Sequence, residues 1–64
     1  NNGEIIEQYP DDYPWPSCLI LGYSNNRPLH ICMGSSGEAA KLITAYWPDP
    51  MKWTDDFRQR KEND

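Results

Sequence analysis

Among 64 residues there is one histidine, His30, and it is the only side chain whose ordinary pKa lies near neutrality, as a general acid or base working at physiological pH requires. It sits within Arg27-Pro28-Leu29-His30-Ile31-Cys32-Met33, which alternates like a strand, and a lone histidine in an apolar strand is more often a neutral, hydrogen-bonded core residue than a catalyst. Tyr46 offers a phenolic proton or a phosphate contact, and Thr44, two residues back, shares its face of a strand; both are also ordinary strand formers. Arg58, Arg60 and Lys61 bring the cations that a scissile phosphate needs, bidentate from guanidinium and point-like from ammonium. On a helix the same residues pair with Asp55 and Asp56 and suit the negative end of the dipole, so a solvated helix end accounts for them equally well.

Other combinations carry less. Asp11 and Asp12 are adjacent and therefore diverge, unlike two carboxylates facing one substrate, and Gly34-Ser35-Ser36-Gly37 lacks the lysine and helix of a phosphate-cradling loop. Cys18 and Cys32 allow a cross-strand disulfide, half of a metal site or two buried thiols. The absence of a Cys-x-x-Cys or nearby histidine spacing favours the thiols, with no metal or cofactor, and a reducing, cytoplasmic setting follows. A net charge of −4 with only six cations excludes a generic polyanion binder, whose affinity comes from many lysines and arginines. No run approaches the roughly 20 apolar residues of a membrane-spanning helix. The chain begins with Asn, and the expectation is that it is one small domain over 1–64, the C-terminal part of a longer one.

The elements that must position these residues are strands. Gly3 to Tyr9 suits a short edge strand, followed by a proline-rich loop, Pro10 to Pro16, in which Tyr13 and Trp15 are expected to cover the sheet edge. Ser17 to Tyr23 and the histidine stretch form a hairpin about Asn25-Asn26, since Asn tolerates the positive φ of tight turns; this register sets Leu21 opposite His30 and Leu19 opposite Cys32. After a flexible 34–38 connection, Ala39 to Trp47 is the fourth strand of a meander that brings Tyr46 to the face of His30. Asp49-Pro50 or Thr54 then starts a C-terminal helix running to about Lys61, with Trp53 and Phe57 facing the sheet. The expected class is α+β, a four-stranded antiparallel sheet with one C-terminal helix and, given three Trp, four Tyr and one Phe, an aromatic-rich core. One short helix covers one face, so the other is expected to meet another chain or a segment missing from this sequence, and packing of copies through that face, a homo-oligomer, is the expected outcome.

The ordered set Gly3-Glu4-Ile5-Ile6-Glu7, Tyr9-Pro10-Asp11-Asp12, Pro16 to Gly22, Arg27-Pro28-Leu29-His30, Thr44 to Asp49, Trp53 and Arg60-Lys61 resembles the domain-of-unknown-function family 4258 across nearly the whole chain. Members of that family resemble small ribonuclease toxins of the RelE-like and MqsR-like sheet-and-helix fold, often encoded beside a zinc-finger antitoxin, and begin with a helix that this chain starts after. The resemblance implies metal-independent RNA cleavage by proton removal from a 2′-OH, in-line attack on the phosphate and protonation of the leaving 5′ oxygen. His30 would be base, Tyr46 or Lys61 acid, Arg58 and Arg60 the charge stabilisers, with Arg27 and Thr44 completing the RNA contacts. The rival expectation is a noncatalytic interaction module. A basic groove of Arg27, Arg58, Arg60 and Lys61 around His30 distinguishes the first, and a flat apolar face with His30 buried distinguishes the second.

Overall fold

A computed structural model describes residues 3–62, so the two residues at each end of the expected 1–64 domain lie outside it. Four strands, β1 (Glu4–Tyr9), β2 (Ser17–Ser24), β3 (Arg27–Ser35) and β4 (Ala40–Tyr46), form one antiparallel sheet in the order β1-β2-β3-β4, the expected meander. The hairpin joining β2 to β3 turns on Asn25 (φ 53°) and Asn26 (φ 66°). Positive φ at both central residues makes the type I′ turn whose twist matches the flanking strands. That turn sets the register: Leu21 opposes His30 and Leu19 opposes Cys32, as the asparagines predict.

Two irregularities decide what the faces carry. In β1 the register shifts between Ile5 and Glu7, so that Glu4 opposes Leu21 and Glu7 opposes Leu19. Simple alternation would send Glu4 and Glu7 to opposite faces; the bulge puts both on the face of His30. A second shift, opposite Cys32 and Met33, leaves Tyr46 across from His30 and Thr44 across from Cys32.

No helix occurs among the described residues, which corrects the expected class from α+β to all-β. The residues that resemble helix caps close turns instead. Asp49 accepts the Met51 N–H through its side chain (2.8 Å) and the Lys52 N–H through its carbonyl (2.9 Å). The Thr54 carbonyl accepts from Phe57 N–H (2.8 Å), and Asp56 accepts from both the Thr54 hydroxyl (2.7 Å) and the Arg58 N–H (3.0 Å). Asp and Thr side chains compete in this way with helical hydrogen bonding. The tip is passed with Phe57 at φ 61°, and the chain returns on itself through a Trp53–Arg60 bridge, Thr54 N–H to Gln59 carbonyl (2.8 Å) and Lys61 N–H to Lys52 carbonyl (2.9 Å).

Long-range contacts favour this looped hairpin over a helix. Arg58 and Arg60 both reach β1, to Glu4 and Glu7 respectively. Two residues apart on a helix they would diverge by about 200° and could not serve one strand, whereas extended backbone points them the same way. A stretch of about a dozen residues is also too short to hold a helix by local propensity alone.

The core is small. Leu19, Leu21, Pro48 and Trp53 are its buried apolar side chains among the described residues, joined by Ser17 and by His30, which is 0% exposed. Trp53 is the only aromatic side chain among them, which corrects the aromatic-rich core: Trp15, Tyr23, Tyr46 and Trp47 are exposed, and Tyr13, expected over a sheet edge, is 95% exposed. The proline loop is tied down by its backbone and by short side chains instead, with Ser35 N–H donating to the Pro16 carbonyl (2.9 Å) and the Ser17 hydroxyl to Asp12 (2.5 Å).

Candidate functional site

His30 stands at the centre of the covered face because β3 is flanked on both sides and the C-terminal hairpin closes over it. Its Nε2 lies 2.9 Å from the Phe57 carbonyl oxygen, which can only accept, so Nε2 carries the proton and donates. In the neutral ring Nδ1 is then the acceptor, and the Tyr46 hydroxyl, 3.2 Å away, donates to it. Trp53 packs edge-on against the imidazole at 4.3 Å between centroids, and Tyr46 does so at 5.4 Å. Both nitrogens are thus engaged and the ring has no exposed surface. This is the arrangement of a hydrogen-bonded core histidine.

Around it runs a ring of compensated charge. Arg58 makes a bidentate contact with Glu4 (2.8 and 3.0 Å for Nη2 to Oε1 and Nε to Oε2), and the guanidinium holds the Glu4 carboxyl below the usual carboxylate range. Glu4 in turn raises Arg58. Arg60 pairs with Glu7 at 3.2 Å, which raises the arginine, and its guanidinium lies 4.6 Å over the Trp53 ring. The Tyr9 hydroxyl donates to the same Glu7, and burial first, then that bond, pushes its phenol up. Burial also pushes up the Tyr46 phenol, against the opposing pull of Arg60. Asp56 is lowered, chiefly by the Thr54 hydroxyl.

The sequence-derived candidates therefore divide. His30 and Tyr46 touch, and Thr44 lies two residues along on their face, exposed. Arg60 joins them through Trp53. Arg58 is drawn away to Glu4 at the sheet edge, and Lys61 is exposed, contributing its backbone N–H to the hairpin. Arg27 is three residues from His30 on β3, hence on the opposite face, where its guanidinium stacks 4.1 Å over Trp47. No basic groove encloses the histidine. The partners Glu4, Glu7 and Tyr9 were not singled out from sequence, since only the bulge and the folded-back hairpin bring them to the arginines. Cys18 and Cys32 are half-buried free thiols; opposite Met33 and Leu19 respectively, they point to different faces and cannot bridge. Among the described residues no group of three or more His, Cys, Asp or Glu could hold a metal, and no helix is long and apolar enough to cross a membrane.

The other face is different in kind. Its register rows are Ile5, Ile20, Ile31, Ala45 and Gln8, Cys18, Met33, Leu42, with Gly22 opposite Leu29. Ile5, Ile20, Gly22, Leu29, Ile31 and Met33 line a shallow depression of about 530 Å³. Ile5 is 55% and Leu42 64% exposed at its rim, and Ile20, Leu29, Ile31 and Met33 between them are half-buried, whereas His30 on the other face is fully buried. The sequence signal was present: β2 and β3 are apolar at both parities, a pattern of strands covered on both sides.

No curated protein and no solved structure matches the chain. Residues 1–47, which hold all four strands with His30 and Tyr46, match a family described as Domain of unknown function (DUF4258), while Trp53, Arg58 and Arg60 lie beyond the matched stretch. With more than half of its residues so matched, the chain belongs to the Domain of unknown function (DUF4258) family.

Proposed function

We propose that this chain is a noncatalytic interaction module whose open sheet face is the binding surface. The observation that carries this reading is the contrast between a histidine buried with both nitrogens engaged and an apolar face left open on the other side of the same strands. The arginines support it too, since Arg58 and Arg60 are satisfied by Glu4 and Glu7 and are not offered to a phosphate. An open apolar patch on so small a chain is stabilised by covering it. The test pairs two measurements. In dilute solution, where chains are apart, an anilinonaphthalene sulfonate dye is expected to bind the open face and to be lost in Ile31→Asp with the sheet's circular dichroism retained, while single-stranded RNA stays intact. RNA cleavage that disappears in Tyr46→Phe would overturn the reading.

One observation favours a second reading, the toxin-like endoribonuclease of RelE or MqsR type. The half-open Tyr46 phenol, kept protonated by burial and bonded to His30, stands within the field of Arg60. There Tyr46 would protonate the leaving oxygen, His30 would hold it in place, and a zinc-finger antitoxin in the cytoplasm would be the partner.

A further inference from the structure

We infer that the occupant of the open face is a second copy of this chain, packed sheet on sheet about a two-fold axis along the β2–β3 boundary. The inference rests on the interaction-module reading and names its partner. It follows from how large and small residues are paired across the strands. On this face β2 and β3 oppose Gly22 to Leu29, Ile20 to Ile31 and Cys18 to Met33. A two-fold axis running along the strands, between β2 and β3, preserves position along the strand and exchanges β2 with β3. It therefore sets Gly22 of one copy against Leu29 of the other, Cys18 against Met33, and Ile20 against Ile31. The outer strands follow the same rule, because β1 exchanges with β4: Ile5 meets Ala45, since both stand in the row of Ile20 and Ile31. Small thus meets large at Gly22–Leu29, Cys18–Met33 and Ile5–Ala45, while Ile20 meets Ile31 at the centre and Gln8 meets Leu42 at the rim, an arrangement suited to sheets about 10 Å apart. Gly22 supplies the hollow, for a Cβ added there has nothing within 4 Å.

Charge and size agree. Glu4, Glu7 and Lys41 belong to the covered face, leaving Arg27, at the turn end and stacked on Trp47, as the one charged strand residue on the open side. Two copies so stacked turn the strand acids outward and meet without opposed carboxylates, although each chain carries −4. The molecule is a slab of 34 × 32 × 15 Å, and its broad sides, one of which contains the open sheet face, are on the scale of the about 800 Å² per partner of a standard stable interface. The association is isologous and closes at two.

Sedimentation equilibrium on the full chain is expected to give the mass of two chains. In a Cys32→Ser background, labelling of Cys18 by a maleimide should slow as concentration rises. Gly22→Leu fills the hollow from a Cβ that meets nothing within 4 Å and should weaken association by about 100-fold, with circular dichroism unchanged. Adding Leu29→Ala to Gly22→Leu exchanges small for large and should restore the dimer, because the axis again opposes unlike sizes. A dimer unaffected by Gly22→Leu, or a natively folded double variant that stays monomeric, would overturn this packing. A monomer up to millimolar concentration would overturn the second copy as occupant. If that monomer still binds the anilinonaphthalene sulfonate dye in an Ile31-dependent way, the docking reading survives; if it binds none, both fall.

Discussion

His30 and Ile31 are neighbours in one strand, yet they belong to two differently built surfaces. On the histidine side a hydrogen-bonded ring, an indole and two arginine–glutamate pairs lock a looped hairpin onto the sheet. On the isoleucine side the side chains lie beside one another, half-buried, around a shallow depression. The first surface contains the fully buried side chains and so carries most of the burial; the second contributes through half-buried cross-strand pairs and gains more when something is laid upon it. A polar group within the core is costly unless satisfied, and the satisfied histidine consequently fixes where the C-terminal hairpin sits.

The sharpest way to break this contrast is Trp53→Ala. It removes the largest buried side chain and the lid over His30, a loss of about 3–5 kcal/mol, comparable with the whole stability of so short a chain. Loss of the cooperative transition in chemical denaturation is the expected result, and a mild shift in midpoint would mean that the hairpin adds little.

A smaller effect compares the neighbours directly. His30→Leu leaves the Phe57 carbonyl and the Tyr46 hydroxyl without their partner and should cost about 1–3 kcal/mol. Ile31→Thr, one residue away and half-buried against Ile20, should cost the isolated chain less than that, about 1 kcal/mol or under, and act on association as well. Denaturation at low concentration beside sedimentation at high concentration separates the two; equal losses of stability would erase the distinction between the faces.

The smallest effects are those of pH, and they also arise on the covered side. Glu4 and Asp56 have folded pKa values below the ordinary carboxylate range, the first through Arg58 and the second through Thr54. Their contribution is present above the unfolded value of about 4 and is lost as pH falls through the depressed folded values. Both are exposed, so salt should weaken this acid limb. Tyr9 and Tyr46 are raised by burial, so their contribution is present below about pH 10 and is lost as pH rises through the raised values. Thermal melts across pH should fall on both limbs, and Tyr46→Phe should flatten the alkaline one; an unchanged alkaline limb would assign it elsewhere.

Local chemistry in the sequence settles the strands. Alternation, the prolines and Asn25-Asn26 act over a few residues, and the single turn they form dictates every partner in β2 and β3, including Leu21 for His30. The approach of Tyr46 to His30 was legible for the same reason, as the next strand of a meander. Tertiary structure alone decided the rest. Asp49, Thr54 and Asp56 carry the chemistry of a helix cap and of a turn alike, and the choice between them lay fifty residues away, in two glutamates that a bulge had turned to one face. Whether His30 is free or engaged was decided in the same way, by a backbone carbonyl delivered from the other end of the chain, because no local pattern encodes which distant group fills a buried hydrogen-bonding site.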